Sequence, residues 1–332
     1  VKAYSPTEKG RSCVHRAKFL DELIKLIPED IPEFSKRVTD IHQDRDGTTV
    51  TFSDRSSVRA SAIIACDGIK SLCRKIVLGE NSPQAEPIFA GEYAYRTLLD
   101  RKQANEILTS MLAGSGNIYC GRGSYIITYP VDKGALVNVV AIKRKANGIW
   151  KQDEWLAQCP RETMIKDFED WGDPMQKLVS KITDTRQWAL FDAPDASRFC
   201  SGSICLVGDA AHASTPNQGA GAGMAFEDAY VLSTLLGRAG VTENVPDVFL
   251  AFDAVRRPRT QRLVATSRKA GEVYELVHGG IGDDLAKVKQ NLDSRHTWIW
   301  MEDLPGEVEM AMEFLQSCNS SEDGVSTDRT PR

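Results

Sequence analysis

Residues 208–223 read GDAAHASTPNQGAGAG. An apolar run, SICLV at 203–207, leads into them, and a helical pattern, MAFEDAYVLSTLL at 224–236, follows. Strand, glycine-rich turn and helix are the parts of a cradle for an anionic or nucleotide-like ligand. Glycine brings backbone N–H groups close to a ligand because no Cβ intervenes, and the N-terminus of a helix bears about half a positive charge. The dinucleotide fingerprint G-x-G-x-x-G, usually met near an N-terminus, occurs nowhere in the 332 residues.

Two features of the stretch constrain what it holds. Gly219, Gly221 and Gly223 alternate with Ala220 and Ala222 at the helix start, and Asp209 follows Gly208 at the strand end. A carboxylate beside an anion site repels a phosphate but accepts hydrogen bonds from sugar or polyol hydroxyls. The pair therefore describes a ligand with hydroxyls on one side and a developing negative charge on the other. A flavin has both: a ribityl chain for Asp209, and an N1–C2=O edge, anionic when reduced, for the helix start.

The remaining composition narrows the class. With 42% hydrophobic and 26% charged residues the chain reads as a globular protein. The net charge of −5 argues against nucleic acid as the main partner, and the basic run RRPRTQR at 256–262 reads as a solvated helix face. No apolar run reaches the roughly 18 residues of a membrane span. The 8 cysteines are scattered without a C-x-x-C pair, several within apolar strands, so free buried thiols in a reducing compartment, the cytoplasm, are expected. The histidines lack metal-ligand spacing, and no metal site is expected.

Along the chain, apolar residues recur with helical period over 16–27 and Pro28 closes the helix. RVTDIHQ and TTVTFSD flank Asp46-Gly47, a hairpin signal. The small or apolar run 60–66 reads as a strand covered on both faces and ends at Asp67-Gly68. Residues 83–145 alternate with period 2, as in an antiparallel sheet, 150–182 read as helical, and 221–237 and 246–277 as helices, the latter interrupted or kinked at Pro258. The expected fold class is α/β. A Rossmann-like FAD/NAD(P)-binding domain comprises 1–82 and 188–270, an antiparallel β-sheet substrate domain, 83–187, is inserted in it, a helical segment spans 271–316, and 317–332 form a polar, disordered tail.

Four stretches in order, CVHRAKFLDEL (13–23), IIACDGIKSLCRK (63–75), GDAAHASTPNQGAGAGMAFEDA (208–229) and HTWIWMEDL (296–304), resemble the group A FAD-dependent aromatic hydroxylases, most closely their salicylate-hydroxylase-like branch with its fungal monooxygenases. The resemblance spans roughly residues 10–315. It implies that Arg16, Asp67, Gly68, Gly208, Asp209, Pro216, Gly219, Gly221, Ala222 and Gly223 bind FAD. It also implies that the family's N-terminal βαβ unit, with its G-x-G-x-x-G, would precede Arg16; a chain without it is expected to be weakly stable, to pair as a homodimer or to bind FAD weakly.

The implied activity is hydroxylation of an aromatic or phenol-like small molecule with NAD(P)H and O₂ through a flavin C4a-hydroperoxide. Arg96, in AYRT, offers fixed positive charge to a phenolate or carboxylate, and Tyr129, in ITYPV, a hydrogen bond or proton relay; a surface charge and a packing tyrosine are the plainer alternatives. His212 reads as a residue of the turn, and Asn217 stands where relatives often have His. Glu227 and Asp228 read as complements of the helix dipole. Two other functions fit the same residues: an FAD oxidase or dehydrogenase, and a non-catalytic fragment or pseudoenzyme.

Overall fold

The computed structural model describes residues 14, 16–44, 47–151, 154–239 and 245–322, which divide into two compact units. The first consists of the described residues up to Phe34 together with Phe89–Leu190 and Arg268–Trp300. The second consists of Ser35–Ile88, Phe191–Ser267 and the described residues from Met301.

The first unit is built on a six-stranded sheet. Its strand order is Asn117–Gly121, Ser124–Val131, Leu136–Arg144, Ile88–Asp100, Gln187–Asp192, Leu156–Ala157. The period-2 pattern of 83–145 is therefore an antiparallel sheet, as its alternation predicts. One face, with Tyr95, Leu99, Ile126, Val139 and Ala141, packs on Met164, Leu178 and Val179 from the helices Arg161–Asp167 and Asp173–Ser180 and on Phe168, which caps the first of them. On the other face Ala94, Tyr125 and Ile142 pack on Ala270 and Tyr274. Trp155 precedes a short strand rather than lying in a helix, so only part of 150–182 is helical.

The second unit contains the hairpin Val38–Asp44/Gly47–Phe52, extended by Ser57–Ala60, and a three-stranded sheet in which Ile204–Leu206 runs parallel to Ile63–Ala65. Residues 45 and 46 of the hairpin turn lie outside the described residues. The run 60–66 is not covered on both faces: Ala65 is buried, but Ile64 and Cys66 are exposed, because alternation sends them to the opposite side of a short strand. Helix Gly221–Ala239 contributes Val231, Leu232 and Leu235 to a core shared with Phe249 and Phe252 of helix Val245–Tyr274 and with Val308, Ala311 and Leu315 of helix Leu304–Glu322.

Two expectations about helices change. Val245–Tyr274 is not interrupted at Pro258, because proline removes only one ladder donor and the flanking Arg256 and Arg259 are tied to neighbouring carboxylates. The last helix continues to Glu322, into the stretch read as a disordered tail, since the packed register at Val308, Ala311 and Leu315 propagates the backbone ladder; 323–332 lie outside the described residues. The described cysteines, Cys66, Cys73, Cys120, Cys159, Cys200 and Cys205, are free thiols, and Cys13 and Cys318 lie outside what is described in side-chain detail.

In the first unit Arg144 bonds two buried carboxylates, Glu92 and Glu275. Burial pushes the Glu275 carboxyl up to about 7 against the opposing pull of Arg144. A carboxyl with a raised folded-state pKa adds stability below its unfolded value and loses it as pH rises through about 7. The thermal midpoint is therefore expected to fall between about pH 5 and pH 8, and Glu275→Gln to flatten that part of the curve. Melting curves of both proteins across this range check it; equal slopes would refute it.

Candidate functional site

The strand Ile204–Leu206 is fully buried and delivers the chain to Gly208, where φ is 58° and ψ −140°. This is backbone that only glycine adopts without strain. Space enforces the same choice: a Cβ on Gly208 would stand 3.3 Å from Cβ of Ala225 on the following helix. The Gly208 N–H donates to Oδ2 of Asp228 at 2.9 Å. Beyond this buried turn Asp209 is exposed and makes no hydrogen bond among the described residues, while Ala210, Ala211 and His212 turn inward.

The segment then forms a 3₁₀ turn over Pro216–Gln218, and Gly219 takes the left-handed conformation with its N–H bonded to Pro216 O. Asn217 donates to Ser267 O at 3.1 Å, and Gln218 donates to Thr266 Oγ1 at 2.8 Å. These anchors bury Thr215, Asn217 and Gln218 and leave Pro216, Gly219, Ala222 and Gly223 outermost. Met224 N–H is the first to bond back, to Ala220 O, so the amides of Gly221, Ala222 and Gly223 form the unsatisfied first turn of a long helix. A Cβ on Gly223 would meet nothing within 4 Å.

Asp209 with a free carboxylate, a bare helix start, and the orphaned buried atoms Thr215 Oγ1 and Gln218 Oε1 fit the flavin half of FAD. Asp209 suits the polyol hydroxyls, and the helix amides suit the N1–C2=O edge.

Beneath the cradle lies a buried ionic cluster that the sequence pattern does not reveal. Asp228 accepts from Gly208 N, meets His212 Nε2 at 2.6 Å and accepts from Arg256 Nε at 2.9 Å. Arg256, itself fully buried, also donates to Glu307 at 2.8 Å and Glu227 at 2.9 Å. Arg259 donates to Glu227 and Glu302. Burial alone pushes the Asp228 carboxyl up; the His212 hydrogen bond and the charges of His212 and Arg256 outweigh it and hold the group below the ordinary carboxylate value.

This cluster corrects two expectations. The 256–262 run is not a solvated face, because its spacing turns Arg256 and Arg259 toward helix 221–239. Glu227 and Asp228 do more than complement a dipole, because they bind those two guanidiniums. His212 belongs to the turn, as expected.

Arg74 forms a second clamp. Its side chain, buried to 2% exposure, donates to the carbonyls of Gln84, Pro194, Ala210 and Ala211. The same motif supplies Asp67, which is occupied locally: it accepts from Cys73 N and from the hydroxyl of Ser71, the residue that caps helix Leu72–Leu78 by accepting from Arg74 N. Gly68 has a φ of 78° and open space where a side chain would be. Arg74 stands six positions beyond Gly68 and directly beside a second cation, Lys75, so spacing alone does not show which of the two turns inward.

The first unit holds the other predicted residues. Arg16 is exposed at the start of helix Arg16–Ile24. Arg96 lies opposite Val140, and Val140 opposite Ile127; Tyr129 lies opposite Asn138, and Asn138 opposite Leu98. Alternation therefore places Arg96 and Tyr129 on one sheet face. That face is partly open, with Leu98 48%, Ile118 38% and Trp188 36% exposed. The Arg96 guanidinium stacks 5.4 Å from the Trp188 ring centroid, and that of Arg186 lies 5.9 Å from it. Tyr129 borders a cavity of about 550 Å³ that Arg101 and Lys133 also line and Arg96 does not.

Residues 30–267 match the FAD binding domain family. Salicylate hydroxylase from Pseudomonas putida is 39% identical over 310 residues, which cover 90% of this chain and 71% of that protein. The 6-methylsalicylate 1-monooxygenase of Aspergillus terreus is 38% identical over 303 residues, 90% of this chain and 67% of that protein. Among solved structures, a salicylate hydroxylase substrate complex aligns with a TM-score of 0.82 at 35% identity over 90% of this chain and 75% of the other. Klebsiella pneumoniae HpxO complexed with FAD and uric acid aligns at 0.68 and 27% identity over 90% of this chain and 71% of the other.

Removing Asp228 leaves Arg256, His212 and the Gly208 amide without their shared acceptor. Asp228→Ala is expected to cost about 3–5 kcal/mol, the scale of a broken buried pair. Arg238→Ala, which removes an exposed pair with Glu309, is expected to cost less than about 1 kcal/mol. Urea unfolding of the two variants checks the contrast.

Proposed function

Because the chain belongs to the FAD binding domain family, within its branch of FAD-dependent monooxygenases, we propose that it hydroxylates an aromatic, phenol-like small molecule with NAD(P)H and O₂. The observation that supports this most is the outward carboxylate of Asp209 beside a helix start of Gly, Ala and Gly, held from below by Asp228. In this reading Gly208, Asp209, Pro216, Gly219, Gly221, Ala222 and Gly223 hold the flavin half of FAD. Arg16, Asp67 and Gly68 complete the cofactor's contacts, Asp67 through the helix start that it steadies by way of Ser71 and Cys73. FAD, when bound, supplies the redox and oxygen-activating chemistry.

The chain's own residues do the rest. The helix-start amides stabilise negative charge at the edge they face. Arg96, which makes no ion pair among the described residues, binds an anionic oxygen of the substrate and keeps a phenol close to phenolate, the form in which its ring is electron-rich. Tyr129 donates to, or takes the proton of, a substrate oxygen. The sheet of 83–187 is then the substrate-binding part, and the residues around 208–223 the cofactor-binding part. A cytoplasmic location agrees with the free thiols; no described helix is long and apolar enough to cross a membrane. A homodimer is part of the same proposal, with the exposed Ile64 edge as the surface to examine.

Asp209→Ala is expected to lose the visible flavin spectrum on gel filtration with excess FAD. Arg96→Gln and Tyr129→Phe are expected to retain it and to lower turnover by about 10²–10⁴-fold. Incorporation of one atom of ¹⁸O₂ into a phenolic substrate, coupled to NAD(P)H oxidation, tests the reaction itself. Peroxide formed from substrate without a nicotinamide would overturn it in favour of an oxidase.

A further inference from the structure

The cavity of about 550 Å³ in the first unit is lined by two cations, Arg101 and Lys133, and, among the described residues, by no carboxylate. Its size lies within the range of small-molecule sites. Arg101 is seated rather than loose. Its Nε donates to Asn105 Oδ1 and its Nη2 to Ser110 O, each at 3.2 Å. A Cβ on Gly114 would come within 2.7 Å of Nη2, so any larger residue there would displace the guanidinium from this position. On its other side Nη1 lies 3.7 Å from where a Cβ of Gly134 would be, which puts the free end of the fork beside the 132–134 turn. Arg101 has no ion-pair partner among the described residues.

The turn is itself unusual. Asp132, Lys133 and Gly134 have φ of 48°, 55° and 88°, three successive left-handed residues of which two bear side chains. Non-glycine residues seldom adopt this region, because Cβ crowds the following carbonyl. Lys133 and Gly134 both line the cavity, and turns of this sort gather backbone amides into anion-binding concavities. The one acid of the turn, Asp132, is drawn off by Lys18 at 2.7 Å.

We propose that this cavity is a dianion site that takes a phosphate monoester between Arg101 and Lys133. Two fixed positive charges match the charge of about −1.5 to −2 on such a group better than that of a single carboxylate. The source that suits the chemistry proposed above is the 2′-phosphate of NADPH. That assignment of source, and only it, rests on the monooxygenase reading; a phosphorylated small molecule or free phosphate is the other source.

The test is calorimetric titration of the full chain with inorganic phosphate, NADP⁺ and NAD⁺ at low ionic strength, about 50 mM. The expected result is that phosphate binds, that NADP⁺ binds and competes with it, and that NAD⁺, which has no monoester, does neither. Arg101→Gln and Lys133→Gln are each expected to weaken phosphate and NADP⁺ by at least about 10-fold. Lys133 is exposed and outside the core, so its variant keeps the test valid if Arg101→Gln destabilises the fold. Phosphate binding lost in the variants, with NADP⁺ no tighter than NAD⁺, would sustain the site and overturn the coenzyme as its source. No phosphate binding, or binding unchanged in both variants, would overturn the site. FAD retention and ¹⁸O incorporation report on the monooxygenase reading separately.

Discussion

The carboxylate of Asp228 is held on three sides, by the amide of Gly208, the imidazole of His212 and the guanidinium of Arg256. Everything the cradle does depends on it. A glycine at positive φ following a buried strand has no intrinsic reason to stay in one conformation; the bond to Asp228 supplies the reason, from a helix that starts within the same loop. The arrangement is self-consistent but expensive to bury, since Glu227, Glu302 and Glu307 also enter and only Arg256 and Arg259 answer them as permanent cations. Clusters of this kind survive burial only when nearly every lone pair and N–H is matched. Burial pushes the Glu307 carboxyl up despite the pull of Arg256, a sign of how dry the cluster is. Arg74, whose charge persists although burial pushes it down to about 10, secures the other side of the short helix 209–212 through its carbonyls.

Local chemistry made the cradle legible in advance. Glycine alternation, an Asp at a strand end and a helical period occupy one continuous stretch, so the turn at 208–223 and the helix after it follow from residues in sequence contact. Arg96 and Tyr129 are proposed through spacing within a resemblance; strand alternation independently puts them on one sheet face. The ionic cluster was illegible for the opposite reason. Asp228, Arg256 and Glu307 are far apart in the chain, and each alone looks like an ordinary exposed helix charge. Only packing of three helices shows that Arg256 is wholly buried. Asp67 illustrates a third case, where the motif is visible but its local task, holding the capping Ser71 and the Cys73 amide at a helix start, needs coordinates to see.

The sheet of the first unit separates its tasks by face. One side is sealed by helices and by a polar knot in which Tyr93 and Tyr95 both donate to Asp167. Burial, with Asp167 beside it, pushes the Tyr93 phenol far above its ordinary range, so it stays a donor at any ordinary pH. The other side is sealed at one end by Ala270 and Tyr274 and is open around Leu98, Ile118 and Trp188. A rigid, closed face behind an open one is how a sheet keeps side chains such as Arg96 and Tyr129 in fixed register while they remain accessible.

Trp188 lies on that open side with a guanidinium on each of two approaches, Arg96 and Arg186. An indole's excited state has a larger dipole than its ground state, so its emission wavelength follows the charges around the ring. Any molecule that draws Arg96 off the indole must alter that field. If Arg96 binds an anion as proposed, the emission of Trp188, one of 6 tryptophans, would shift on binding, and the difference from a Trp188→Phe variant would isolate that signal before any bond is made or broken.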